Sequence, residues 1–471
     1  MHTMTWAETQ PGLWQRPIGE NEAMIKTIGD AGLALGTDVW SISVTAHFAA
    51  SVEPKSLPQA LRDGWVALRF RHPSIAATAD DDALHYHVPD HQQLTQWLEE
   101  TFIVVHGESS VDHVLGTLPP RRYASCYYLE NTNEVVLHLS HWHTDGIGAF
   151  YLLGALFRET VDHLRDNPYQ FAWGEETVKL VPSVEHALNL PIEPTEAIEA
   201  ATKKYLATVG HARGALGIPP QPTGTDGKAT RLPTFNFPAD QTTELLSACA
   251  KLGIRFEAAL HASVTAAAYS IAEPAAAASD SEHKQHHCST LRHSLRPHLP
   301  APYDGAPGAA GLYTAGFFVK APGSHSWLDN ARYFESEYAK GATPDLLISR
   351  REYAREMRAI LKRNLASPPP NPPPSGLDMS WVPDAEDLVG GTEFSAIAHG
   401  DDEGRHFVRL DKVGISVDVL SRHVYVFAWI FNGEIQCRLA FNRAFYDDGF
   451  ASRVLELVAQ HLISNLSVAS S

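Results

Sequence analysis

The chain has 471 residues, 44% of them hydrophobic, and a formal net charge of −18. That length exceeds what one core serves, so two lobes are expected, and aromatic residues spread along the chain exclude disorder as a global description. The acidic balance, with no dense Lys/Arg block, argues against nucleic-acid binding, which needs a basic face to neutralise phosphates.

Cys126, Cys249, Cys288 and Cys437 lie in different parts of the chain and form no CxxC pair, so neither a disulfide framework nor a zinc site is expected. Met1 to Gly19 has no basic segment followed by an apolar one, so no secretory signal is read there. No apolar run reaches membrane-spanning length. The Ala-rich stretch from Ala258 to Ala278 is broken by His261, Ser270, Glu273 and Pro274 and reads as a buried helix. The expected compartment is the cytosol, with no membrane partner.

In chain order, the lead-in up to residue 20 is polar, with neither a helical nor a strand period. Val39 to Phe48 alternates at period two and predicts a strand. Leu57, Leu61, Trp65 and Leu68 fall at spacings of three and four and predict a helix over Leu57 to Phe70. Ala83 to Val88 reads as a strand and Gln92 to Val105 as a helix. Tyr123 to Tyr128 and Glu134 to Leu139, separated by the polar turn Glu130-Asn-Thr-Asn133, predict a hairpin. Ser140-His-Trp-His-Thr-Asp-Gly146 follows at once, and then an apolar-periodic helix over Ile147 to His163.

Pro182 to Pro194 carries helix-breaking prolines and reads as a connection. Thr195 to Leu216 predicts a helix with Thr195 as N-cap. Ile218 to Lys228, rich in Pro, Gly and Thr, is the candidate linker, dividing the chain into lobes 1–217 and 218–471. Beyond it lie a strand over Leu232 to Phe237 and helices over Gln241 to Leu252 and Phe256 to Ile271, with Gly253 as the C-cap between them. Glu273 to Gln285 is a loop. Cys288 to Leu295 and Leu312 to Val319 predict strands; Trp327 to Lys340 and Leu346 to Leu365 predict helices. The proline run Ser367 to Ser375 must be a loop or an extended segment. Val413 to Val419, Val424 to Ile430 and Glu434 to Phe441 predict a three-strand meander, and Gly449 to Leu466 a closing helix. Asp447 reads as its N-cap. The fold class expected is α/β, as two-layer α+β lobes.

The polar cluster at the exit of the strand ending at Leu139 is where chemistry is expected. Acyl transfer from a thioester needs a base for the acceptor's proton and stabilisation of an oxyanion; it needs no metal and no enzyme nucleophile. His141 and Asp145, four apart at a strand-to-helix corner, fit that need. Asp145 at the mouth of the helix is favoured by the helix dipole and braces the loop by capping, while Gly146 allows a sharp turn. His138, His141 and His143 could suggest a metal site with Asp145. On a continued strand, however, His138 faces away from the other two, so no metal is expected.

The segment His138-Leu-Ser-His-Trp-His-Thr-Asp-Gly-Ile-Gly-Ala-Phe150 resembles the HxxxDG signature of the superfamily that includes chloramphenicol acetyltransferase, the plant BAHD acyltransferases and the condensation domains of nonribosomal peptide synthetases. Ser294-Leu-Arg-Pro-His-Leu-Pro-Ala-Pro-Tyr303, Gly311-Leu-Tyr-Thr-Ala-Gly316 and Leu439-Ala-Phe-Asn-Arg-Ala-Phe-Tyr-Asp447 resemble later segments of its fungal members, closest to the trichothecene 15-O-acetyltransferase type. The resemblance implies two chloramphenicol-acetyltransferase-like lobes with a tunnel between them and His141 as general base. It implies that Asp145 is a structural aspartate paired with an arginine, with Arg296 the first candidate and Arg292 the second, and that Gly146 is the motif glycine. His143, Tyr313, Thr314 and Asn442 are candidate tunnel residues. An acyl-CoA donor is implied as co-substrate and a small secondary metabolite as acceptor, acylated on a hydroxyl, in a monomer that holds both lobes itself.

Two departures narrow the resemblance. Ser140 stands where condensation domains usually carry a second histidine, which weakens a peptide-condensation reading, and the DFGWG segment of plant members is absent. The alternatives are a donor tethered to a carrier protein, a cyclase or dehydratase recruited to the same pocket, and a non-catalytic binding module. The intact His141/Asp145 pair argues against the last of these.

Overall fold

The computed structural model describes residues 4–51, 56–107, 109–163, 171–221, 230–231, 233–272, 286–368, 375–395 and 407–468. They form two compact units. Unit 1 comprises Met1–Ile192, Leu295–Tyr313 and Asp384–Val417; unit 2 comprises Glu193–Ser294, Thr314–Pro383 and Asp418–Ser471. The lobes therefore do not divide once at 217/218: two later segments of the chain return to unit 1.

Unit 1 is built on a six-stranded sheet. Its spatial order is Glu393–Ser395, Phe407–Val417, Ile42–Ala50, Glu134–Leu139, Ser125–Leu129 and Phe102–Val105. All neighbours are antiparallel except the last two strands, which run parallel. Helices Leu57–Arg71 and Gly146–His163 pack on each other, and a Cβ at Gly64 would lie 2.5 Å from Thr160 Oγ1, so glycine is what allows them this close. Their apolar stripes bury Leu61, Trp65, Leu68, Phe150, Leu153 and Phe157, and Phe157 meets strand residue Phe48 edge-on at 5.0 Å. Each such side chain stabilises the fold by roughly 1.5–3 kcal/mol. A smaller antiparallel sheet holds Ala7–Gln10, Leu13–Pro17, Ala83–His87 and Thr78–Ala79 in that order.

Unit 2 carries a five-stranded sheet. Thr234–Phe237, Glu434–Asn442, Val424–Phe431 and Leu377–Val382 lie in that order, and Thr230–Arg231 also pairs with Glu434–Asn442. Leu377–Val382 runs parallel to its neighbour. A separate two-stranded ribbon pairs His286–Ser294 with Thr314–Pro322 in unbroken register. Helix Phe256–Ile271 is apolar all round because it packs against Trp327–Ala339 as well as Asp448–Val468. Among the described residues, no helix is long and apolar enough to cross a membrane.

Thr195 caps its helix through Ile198 N, Asp447 accepts from Phe450 N, and Gly253 takes φ 66°, as the sequence leads one to expect. Four expectations are corrected. The lead-in holds two strands, and the helix Glu20–Asp30 follows it. The first strand is exposed throughout, so it has no hydrophobic alternation to read. The helix expected to reach Val105 ends at Thr101, where the β-branched run Ile103-Val-Val105 turns to strand, and the helix from Thr195 ends at Ala207. Finally, Val413 to Val419 is not part of a meander. The strand Phe407–Val417 pairs with Ile42–Ala50 in unit 1, while Val424–Phe431 and Glu434–Asn442 pair with each other in unit 2. The expected loop Glu273 to Gln285 and most of the proposed linker and proline run lie outside the described residues.

Candidate active site

Strand Glu134–Leu139 delivers the chain to a tight turn, closed by His143 N donating to Ser140 O at 2.9 Å, and helix Gly146–His163 starts directly after it. Asp145 is the N-cap of that helix: its Oδ1 accepts from Gly148 N at 2.9 Å. Arg296 Nη1 lies 2.7 and 2.6 Å from the two carboxylate oxygens, and Tyr313 N donates to Oδ2 at 2.9 Å. Four hydrogen bonds, none of them to His141, account for the carboxylate. It braces the corner.

The Arg296 guanidinium also reaches Gly308 O and Gly311 O, so the segment Ala306–Gly311 is laced to the start of the motif helix. Both charges of the pair are buried. Here the tight glycine is Gly148, where a Cβ would stand 2.2 Å from Ala309 O and 2.4 Å from Thr144 Oγ1. At Gly146 a Cβ would meet only Ile415 Cδ1, at 3.2 Å.

His141 Nδ1 lies 2.9 Å from the backbone oxygen of Thr144. A carbonyl oxygen can only accept, so Nδ1 carries the proton and the neutral ring keeps its basic lone pair on Nε2. Thr144 is itself fixed, because its hydroxyl donates to Ala309 O at 2.7 Å. The other two histidines of the run go elsewhere. His138 Nδ1 meets Ser43 Oγ at 3.0 Å, and His143 Nε2 meets Ala77 O at 3.0 Å with its ring stacked on Trp142. Burial holds both imidazoles down to about 4, so both are neutral at neutral pH. Among the described residues, no group of three or more His, Cys, Asp or Glu side chains is placed to hold a metal ion.

His141 lines a cavity of about 380 Å³ inside unit 1, together with Ser140, Trp142, Asp38, Leu33, Val39 and His85. Ser140 Oγ donates to Asp38 Oδ2 at 2.5 Å. Burial pushes the Asp38 carboxyl up to about 6, with Asp30 adding to the rise and the Ser140 bond and Lys26 opposing it. Asp38 was not singled out by the sequence: it lies 102 positions from Ser140, in a segment without a motif.

The remaining candidate residues fall as follows. Arg292 pairs with Asp378 in unit 2, Nη2 to Oδ2 at 2.9 Å, and not with Asp145. Tyr313 is fully buried, and its hydroxyl donates to Pro182 O at 3.0 Å. Thr314 donates to His293 O at 3.1 Å, and Asn442 is fully buried in unit 2, donating to Val419 O and accepting from Ala444 N. None of these three, nor His143, lines the cavity at His141.

Residues 128–289 match the family model described as 15-O-acetyltransferase Tri3. The chain is 37% identical over 475 residues to the acetyltransferase pigO of Monascus ruber, covering 99% of each. It is 26% identical over 477 residues to the O-acetyltransferase pigM of the same organism, covering 99% of this chain and 88% of pigM. The fold is that of TRI3 trichothecene 15-O-acetyltransferase from Fusarium sporotrichioides, with a TM-score of 0.78 at 14% identity over 97% of both chains. The chain therefore belongs to the Tri3-related acetyltransferase family and is an O-acyltransferase.

Proposed function

We propose that the protein transfers an acyl group, in the first instance acetyl, from an acyl-CoA thioester to a hydroxyl of a small secondary metabolite, with His141 as general base. The observation that carries this reading is the tautomer of His141. Its Nδ1–H is spent on Thr144 O, which leaves Nε2 as the basic nitrogen on a ring that lines a cavity. The acceptor hydroxyl gives its proton to Nε2 as its oxygen attacks the thioester carbonyl carbon. The tetrahedral intermediate then collapses, the carbon–sulfur bond breaks, and the departing thiolate takes the proton back from Nε2. Nδ1–H rests on the Thr144 carbonyl, whose dipole stabilises the imidazolium formed in passing. The names of the relatives, acetyltransferase and O-acetyltransferase, support both the acetyl group and the oxygen acceptor.

The test is acceptor-dependent thiol release from acetyl-coenzyme A across a panel of hydroxylated polyketides and terpenoids. Release with at least one acceptor is expected. Transfer from a carrier-bound thioester with none from the free coenzyme A ester would replace the donor, and conversion without any acyl donor would replace the reaction class.

A further inference from the structure

Of the polar groups around the cavity at His141, Arg121 donates to the Tyr127 hydroxyl and Arg122 lies over the Tyr123 ring. Lys26 pairs with Asp30 at 2.6 Å. His85 has Nε2 on Asp80 at 2.7 Å and Nδ1 on the Gln15 amide at 2.9 Å, so neither of its nitrogens is at hand for chemistry. The wall one residue from His141 is different in kind. Ser140 has a single hydroxyl hydrogen, and it lies on Asp38 Oδ2. What Ser140 retains is lone pairs, and an ionised carboxylate offers nothing else. The arrangement is built into the fold: Asp38 is nine-tenths buried, and a Cβ at Gly29 would stand 2.4 Å from its Oδ1.

This wall therefore accepts hydrogen bonds and does not donate them. His141 Nε2 is an acceptor as well. A lone alcohol has one hydrogen, and the reaction sends it to Nε2, which leaves none for the remaining lone pairs of Ser140 and Asp38. A molecule with a second donor meets them. Leu33, Ile25, Val39 and Trp142 supply the apolar part of the lining. Leu33 is half-exposed, as a side chain awaiting an apolar partner would be.

Resting on the acyl-transfer reading above, we infer that the Ser140–Asp38 pair is an acceptor-recognition site, and that it selects an apolar acceptor carrying a second hydroxyl beside the one that is acylated. The pair turns lone pairs and no hydrogen towards the cavity, and a site built to hydrogen-bond a substrate group rejects the analogue lacking it.

The test pairs each dihydroxy acceptor turned over by the wild-type chain with the deoxy analogue that lacks the second hydroxyl. In the wild type, kcat/KM for the diol should exceed that for the analogue by roughly 10- to 100-fold. In Ser140→Ala and in Asp38→Asn that advantage should shrink to about threefold or less, because the first removes one of the two acceptors and the second replaces the other with an amide that also donates. Circular dichroism melting identifies which variants fold, and Ser140→Ala, which removes one half-buried hydroxyl, decides the matter if Asp38→Asn does not. Equal turnover of diol and analogue by the wild type overturns the proposal, as does an undiminished advantage in a folded variant, or turnover restricted to monohydroxy acceptors. Absence of any acceptor-dependent thiol release by the wild type is a different result, since it removes the acyl-transfer reading itself.

Discussion

At the corner between strand and motif helix, the energetics are dominated by one buried ion pair. Arg296 and Asp145 are each satisfied by the other and by backbone groups, so removing either partner strands a buried charge. Asp145→Ala is expected to cost about 3–5 kcal/mol of stability, read from the urea midpoint. A loss below about 1 kcal/mol would mean that the corner is not braced this way. Acid should act on the same region. The unfolded histidine value is near 6.5, while His138 and His143 are held at about 4 in the fold. Between those limits the unfolded chain binds more protons, so the contribution of these residues is present above about 6.5 and lost as pH falls towards 4. Asp38 works in the opposite sense. Its folded value of about 6 lies above the unfolded one, so it favours the fold at acid pH and loses that contribution as pH rises through 6. Asp38→Asn should therefore steepen the loss of stability on acidification from 6.5 to 4, measured by urea denaturation across that range. An unchanged slope would contradict the placement of this carboxyl.

At the scale of elements, what could be read in advance was whatever repeats within a few residues. The period of Leu57 to Phe70, the cap at Thr195 and the strand–turn–helix around His141 all declare themselves locally. Partners far apart do not. Alternation in Val413 to Val419 announces a strand, yet nothing in it says that its neighbour is Ile42–Ala50 rather than Val424–Phe431. The same holds for the site: His141 was legible from its motif, and Arg296 from its resemblance to a family pattern. The Asp38–Ser140 contact has no spacing signal at all. Close helix packing is another such hidden contact. A Cβ at Gly64 would lie 2.5 Å from Thr160 Oγ1 and 2.9 Å from Thr160 N, the latter an atom that cannot swing away. Gly64→Ala should cost about 1–3 kcal/mol through forced separation of the two helices. A thermal midpoint equal to wild type would show that the pair has slack.

Over the whole molecule, the order of the chain and the composition of its units do not coincide. Unit 1 takes its Arg296 and Tyr313 from residues 295–313 and two strands of its main sheet from residues 384–417. A fragment ending at residue 217 thus lacks Arg296 and Tyr313, which hold Asp145, and exposes the edge of Ile42–Ala50 that Phe407–Val417 covers. It should fail to show a cooperative unfolding transition, whereas the full chain should show one. A cooperative transition in the fragment would mean that the first 217 residues hold a self-sufficient core.

The proposal that Nε2 of His141 takes the acceptor's proton is tested by acceptor-dependent thiol release from acetyl-coenzyme A, measured for wild type and His141→Ala at equal fold integrity. A fall of about 10²- to 10⁴-fold in the variant is expected, with an unchanged melting profile. Equal rates in the two proteins would contradict it and take His141 out of the mechanism.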